Sequence, residues 1–173
     1  MDLNKLYFYT ASILNYKKLL MGDDYKEIII GSLRHLVLKK KIKVYAFVIM
    51  PNHIHVIWEL LESNGKEMPH ASFMKYTAHQ FQKKLRIENP DYLEEFRVNN
   101  ITRDYQFWQR NALPIILFTK NVMMQKLNYI HNNPLQKHWN LAETPEDYYY
   151  SSAAYYKNGQ QNFDFISHIG NWF

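Results

Sequence analysis

The chain has 173 residues, enough for one domain with a real core and too few for two comfortable ones. Hydrophobic residues make up 47% and charged residues 21%, a globular composition that excludes a disordered chain. There is no cysteine, so disulfides and thiolate metal sites are excluded and any site must use His, carboxylate, amide or hydroxyl groups. The formal net charge of +5 points to phosphate as a partner, and nucleic acid is the commonest phosphate polymer. Fourteen tyrosines raise the aromatic share to 16%. Most of these rings are expected to pack the core, and exposed ones could stack on unpaired bases. No apolar run reaches the length of a membrane span, and Met1–Lys5 leads into no signal peptide. A cytoplasmic protein without a membrane partner is the expectation.

In chain order, Leu6–Ile13 is aromatic and β-branched and reads as a first strand. Asp23-Asp24 offers a cap for a helix over Tyr25–Lys40, whose apolar face is Ile28, Ile29, Leu33, Leu36 and Val37. Val44–Met50 and His53–Leu60 read as two strands joined at Pro51-Asn52, with room only for an antiparallel hairpin. Glu62–Pro69 is a polar loop, and Ala71–Ile87 a second helix with Phe73, Phe81 and Leu85 on one face and a basic opposite face. Asp91–Thr102 fits a short helix or an inserted loop equally well. Phe107–Arg110 and Leu113–Phe118 read as strand, with Pro114 pointing to an edge. Thr119 or Asn121 can cap a third helix over Lys120–Asn132, closed by Pro134. Leu135–Phe173, rich in turn residues and tyrosines, is expected to wrap the core, with a short helix near Ser151–Lys157.

This order gives an α+β fold, a ferredoxin-like split βαβ sandwich with an antiparallel sheet and helices packed on one face. One domain is expected over residues 1–173, with a core at about 5–135 and a wrapping segment at 136–173. The other face of the sheet is left for His53 and His55. Side chains alternate along a strand, so these two point the same way while Ile54 and Val56 point into the core. Their Cα atoms lie roughly 6–7 Å apart, twice the strand rise, so two imidazoles could converge on one metal ion. Alone, the pair fits a polar, half-exposed strand face better than a metal site.

The segment Phe47-Val48-Ile49-Met50-Pro51-Asn52-His53-Ile54-His55 resembles the metal-binding strand of the HUH nucleases, in the form found in single-tyrosine transposases and their REP-associated relatives. That family places a nucleophilic tyrosine and a third metal ligand far downstream. Leu127-Asn128-Tyr129-Ile130-His131-Asn132-Asn133-Pro134 resembles its catalytic helix, and Tyr129 and Asn133, four apart, share a helix face. Pro145-Glu146-Asp147-Tyr148-Tyr149-Tyr150-Ser151-Ser152 resembles the family's tail segment. The resemblance runs from Tyr7 to about Tyr155. It departs at Leu135–Leu141, where relatives carry a Val-Lys-Ala-Gly-Leu-Val type segment, and at Arg110–Pro114, where many carry an acidic residue.

The resemblance implies a metal-dependent transposase and HUH endonuclease that cleaves and rejoins single-stranded or hairpin DNA through a 5′-phosphotyrosine. Tyr129 would be the nucleophile, and His53, His55 and Asn133 the ligands of Mg²⁺ or Mn²⁺. His131 is expected to point off the Tyr129 face and is not cast as a base. Lys83, Lys84, Arg86, Arg103 and Arg110 are candidate DNA contacts, with solvated charge as the ordinary alternative. Relatives work as homodimers or as monomers. Two other readings stand beside this one: a non-catalytic nucleic-acid-binding module built on the same sheet, and a metal-dependent phosphodiesterase that uses activated water and leaves Tyr129 structural.

Overall fold

The strand that carries the two histidines, β3 (His53–Leu60), becomes an interior strand. It pairs antiparallel with β2 (Ile42–Met50) on one side and β1 (Leu6–Ser12) on the other. A short strand, β6 (Leu113–Ile116), adds to the far side of β1, giving the order β2-β3-β1-β6. The computed structural model describes residues 1–110 and 112–172; Asn111, part of the Arg110–Pro114 departure noted above, and Phe173 lie outside the described residues. Helix α1 (Asp23–Leu38) joins β1 to β2, and helix α2 (Pro69–Glu88) follows β3. This is the split βαβ arrangement expected from the order of elements.

The β2–β3 turn is held from outside. Ile13 N–H donates to Asn52 O at 2.8 Å and Leu20 N–H to Pro51 O at 2.9 Å, so the chain leaving β1 clamps the turn just before His53. In β2 the register slips between Val44 and Ala46. That bulge puts Tyr45 and Ala46 on the same side of the sheet and lets the alternation resume with Phe47 and Ile49 in the main core.

The main core lies on one face. Tyr7, Tyr9, Phe47, Ile49, Ile54, Val56 and Trp58 meet Ile29, Ile30, Leu33 and Leu36 of α1 and Phe73, Phe81 and Leu85 of α2. The other face is not left open. Leu6, Phe8, Val48, Met50 and Ile57 form a second, smaller core with Met123, Leu127 and Ile130 of helix α4 (Lys120–Asn132). Here the expectation of helices on one face is corrected: it holds for α1 and α2, and α4 packs on the second. The reason is burial. Leu6, Phe8 and Ile57 alternate onto the histidine face and need cover, and the apolar stripe of α4 has that face left to bury against.

Between α2 and β6, the ambiguous stretch resolves into a five-residue helix α3 (Pro90–Glu94) and a small hairpin, β4 (Arg97–Asn100) with β5 (Arg103–Tyr105). Phe107–Arg110 was expected as strand. It makes only a single bridge, Trp108 to Ile13, and sends Phe107 and Trp108 into the main core. Pro114 sits on an edge strand, as its missing N–H requires. After α4 the chain runs along the free edge of β2. Ile49 N–H donates to Tyr150 O at 2.9 Å, Ser152 N–H to Phe47 O at 3.0 Å and Ser167 N–H to Val44 O at 2.9 Å. The tail thus covers an otherwise open strand edge, with helix α5 (Ala153–Asn158) in its middle. Among the described residues no helix is long and apolar enough to cross a membrane.

Trp58 is fully buried between Tyr9, with ring centroids 5.1 Å apart, and Phe73, at 5.9 Å. Replacing it by alanine removes the largest side chain at the centre of the main core. Trp58→Ala is expected to lower the unfolding free energy by about 3–5 kcal/mol, read from the urea midpoint.

Candidate active site

His53 and His55 leave β3 on the same face, and their ring centroids approach to 4.7 Å. The rings tilt together from the wider spacing of their Cα atoms. Each has one nitrogen engaged. Asn52 Oδ1 lies 2.6 Å from Nδ1 of His53. An amide oxygen only accepts, so the ring proton sits on Nδ1 and the Nε2 lone pair is left free. Thr10, directly across from His55 in the β1–β3 register, brings Oγ1 to 2.8 Å from Nδ1 of that ring. With Nδ1 donating to the hydroxyl, Nε2 of His55 presents a lone pair too. That atom is buried and has no hydrogen-bond partner.

Helix α4 brings the downstream residues to this face. Thr119 Oγ1 caps it, accepting from Val122 N–H at 3.3 Å. Leu127 and Ile130 are buried against the sheet, which turns Tyr129 to the flank beside β1. The Tyr129 ring centroid is 5.1 Å from that of His55 and 6.1 Å from that of Phe8, and the residue keeps 43% of its surface exposed. Asn133 stays helical at φ −59° and ψ −42°, so the four-residue spacing from Tyr129 holds to the end of the helix before Pro134 closes it. Its side chain is buried, and Oδ1, like His55 Nε2, has no partner. An unpartnered buried acceptor costs about 1–3 kcal/mol. Two such atoms on one face, beside a third free lone pair on His53, are a donor set short of one acid. Two imidazoles and an amide oxygen suit a divalent ion, and the outer hydrogen bonds to Asn52 and Thr10 orient the rings as metal-binding histidines require. Among the described residues no group of three or more His, Cys, Asp or Glu side chains comes together, so Asn133 is the third donor available here.

Burial dominates the electrostatics. It pushes His53 down to about 4, with the Asn133 side chain opposing and His138 adding a smaller push the same way. It pushes His55 down to about 3, helped by His53 and by the charge of Lys126. Both rings are neutral near pH 7, the form that binds metal. His131 is also driven to about 4 by burial, but it belongs elsewhere: its Nε2 lies 2.9 Å from Ser152 Oγ and its ring packs on Tyr156. It points off the Tyr129 face, as the helix spacing implied.

Several neighbours were not singled out in the sequence. Phe8 stacks on His55 at 5.2 Å, Thr10 orients it, and Trp139 lies 6.0 Å from the His53 ring. Trp139 comes from the Leu135–Leu141 segment that departs from the family pattern. Phe8 and Thr10 could have been found only through the register of β1 against β3. The basic candidates are dispersed. Lys83, Lys84 and Arg86 lie on α2, on the opposite face of the sheet from the histidines, and Lys84 is paired with Asp24 at 3.1 Å and Glu88 at 2.6 Å. Arg103 lines a cleft of about 950 Å³ beside α2. Arg110 lines that cleft too, and also a groove of about 390 Å³ shared with Thr10, Ser12 and Gln109, so it alone of the five shares a groove with a residue that contacts His55.

His53, His55 and His131, whose charged forms burial disfavours most, make stability depend on pH. Unfolded, each takes up a proton below about pH 6.5; folded, each stays neutral until about 4 or below. The unfolded state therefore binds more protons across that window, and stability rises with pH there. In EDTA, the urea midpoint is expected to be flat above about pH 7 and to fall on going to pH 5, by on the order of 1 kcal/mol per histidine per pH unit. An unchanged midpoint at pH 5 would show that the rings are not held neutral.

No protein-family model matches the chain, and no curated protein sequence does. Solved structures do. The structure of a REP-associated tyrosine transposase bound to a REP hairpin matches with a TM-score of 0.59 and 20% identity, over 97% of this chain and 88% of that one. A protein of Deinococcus radiodurans R1 assigned as a transposase matches with a TM-score of 0.44 and 14% identity, over 76% of this chain and 92% of that one. The full-length match and the motifs on β3 and α4 agree: this chain has the fold of the REP-associated tyrosine transposases.

Proposed function

We propose that the chain is a transposase-type enzyme that cuts and rejoins single-stranded or hairpin DNA, with Tyr129 as nucleophile and a divalent ion, Mg²⁺ or Mn²⁺, held by His53, His55 and Asn133. The observation that carries this reading is the convergence of a half-exposed tyrosine with two buried, unpartnered donor atoms, His55 Nε2 and Asn133 Oδ1. The match to a transposase bound to a REP hairpin supports DNA, and hairpin DNA in particular, as the substrate.

The chain's own residues divide the work. When bound, a divalent ion supplies Lewis-acid charge that draws electron density from the phosphate. Asn52 and Thr10 fix the ring orientation of the two histidines, and Phe8 shields the His55 ring from solvent on one side. Leu127 and Ile130 lock α4 to the sheet, so Tyr129 has a fixed origin and a free hydroxyl end. A phenol is a poor nucleophile until it loses its proton, which passes to solvent. Its oxygen then attacks phosphorus in line, the bond from phosphorus to the 3′ oxygen breaks, and that oxygen takes a proton from water. The products are a 5′-phosphotyrosine and a free 3′-OH. The diester bond energy is kept in the covalent link, so the reverse attack by a 3′-OH rejoins DNA without ATP.

A binding module that stacks bases on its open sheet does not fit this structure. That face is covered by α4, and Leu6, Phe8 and Ile57 lie beneath it. The phosphodiesterase reading differs only at Tyr129, and a covalent trap separates the two. Wild type and Tyr129→Phe are incubated with a hairpin carrying a single-stranded flank and Mn²⁺, then resolved on a denaturing gel and by mass spectrometry. Wild type is expected to form a DNA adduct on Tyr129 that EDTA abolishes, while Tyr129→Phe binds Mn²⁺ and forms none. Cleavage by Tyr129→Phe at the wild-type rate would assign the chemistry to water.

A further inference from the structure

Five lysines of this chain are at least partly buried: Lys17, Lys26, Lys41, Lys84 and Lys126. Four of them are neutralised by carboxylates. Lys17 pairs with Glu95, Lys26 with Asp23 at 2.7 Å, Lys41 with Glu62 at 2.8 Å, and Lys84 with Asp24 and Glu88. Among the described residues Lys126 has no such partner and no hydrogen-bond acceptor. Its ammonium instead lies 4.8 Å from the centroid of the Phe8 ring and 5.8 Å from that of Tyr129. It stands one helical turn before Tyr129 as Asn133 stands one turn after it, so the three form a single stripe on α4.

A cation over an aromatic face gains only a little at a partly exposed site. The charge of Lys126 already reaches the His55 ring, so it would also repel a divalent ion held by that ring in a site of low dielectric. Two positive groups flanking one tyrosine are stable together when an anion lies between them. The phosphodiester that Tyr129 attacks is that anion, and in the transition state its charge spreads over the non-bridging oxygens. We propose that Lys126 is a further catalytic residue, whose ammonium binds a non-bridging oxygen of the scissile phosphate from the side of Tyr129 opposite Asn133. The inference rests on the reading of Tyr129 as nucleophile.

The test compares single-turnover cleavage by wild type, Lys126→Gln and Lys126→Arg on the same hairpin, with adduct formation as the readout. The scissile linkage is either a normal diester or a methylphosphonate of one or the other configuration, in which a neutral methyl replaces one non-bridging oxygen. Lys126→Gln is expected to cleave the diester 10²–10³-fold more slowly, the range seen when one group that stabilises developing oxygen charge is removed. Lys126→Arg, which keeps the charge, is expected to stay within about tenfold. On the methylphosphonate that lacks the contacted oxygen, the gap between Lys126→Gln and wild type should close to about threefold. Hairpin affinity and melting temperature should be nearly unchanged, and the Mn²⁺ affinity of the DNA-free protein should not fall. The proposal is overturned if Lys126→Gln cleaves the diester within threefold of wild type. It is overturned equally if its defect is the same on the diester and on both methylphosphonates, which would mark a structural role. Absence of any adduct with wild type would instead remove the parent reading, a result separate from either.

Discussion

Strand β3 must bury both of its faces, and the site is what that constraint leaves over. With apolar residues on both faces it cannot leave either to water along its whole length, so Ile54, Val56 and Trp58 fill one core and Ile57 another. His53 and His55 alternate onto the second face at the end of the strand, where cover runs thin. They are therefore dry enough to stay neutral yet close to a surface that a substrate can reach. Everything else arranges itself around this. The β2–β3 turn must be clamped to fix where His53 begins, β1 must bring Thr10 level with His55, and α4 must lie across the histidine face. The tyrosine reaches the histidines because α4 has the same apolar obligation as the strand beneath it.

The unpartnered acceptors of this site are costly to the fold. His55 Nε2 and Asn133 Oδ1 are shut away from water without partners, in a fold whose other buried polar groups are mostly paired. Proteins tolerate such debts chiefly where a ligand settles them. The histidine shifts have the same origin, since burial alone makes an imidazolium expensive and a lone pair available. Lys126 adds positive charge at the flank of these neutral histidines.

How far the sequence discloses this arrangement depends on the range of the interaction. The period of two along His53–Leu60 places both histidines on one face, and the four-residue spacing of Tyr129 and Asn133 places those two together on a helix; each is a local rule and each is seen in the backbone. The capping of α4 by Thr119 and the edge position of Pro114 follow from single-residue chemistry in the same way. The face that α4 chooses is not local, because its stripe of Met123, Leu127 and Ile130 would suit either side of the sheet. Phe8 and Thr10 enter the site only through the pairing of β1 with β3, which no periodicity reports. Arg97–Tyr105 folds into a hairpin whose strands are mostly exposed and carry no alternation to detect. Phe107 and Trp108 look like strand because they are aromatic, when their aromaticity serves the core from an irregular backbone.

The edge of β2 is closed by residues from the far end of the chain, and one of them has two duties. Ser152 bonds the backbone of Phe47 with its hydroxyl and its N–H, and the same hydroxyl meets Nε2 of His131 on α4. A buried imidazole deprived of that partner is a liability in the core next to Ile130. The helix that carries Tyr129 is thus fastened to the sheet by a segment some twenty residues after it. The two ends of the chain are therefore interdependent: the histidine strand and its hairpin form from neighbouring chain, but α4, already packed through Leu127 and Ile130, gains its polar anchor at His131 only when the polypeptide through Ser152 lies against β2. A chain cut short before Ser152 would hold the histidine strand while the His131 end of α4 lacked its polar anchor.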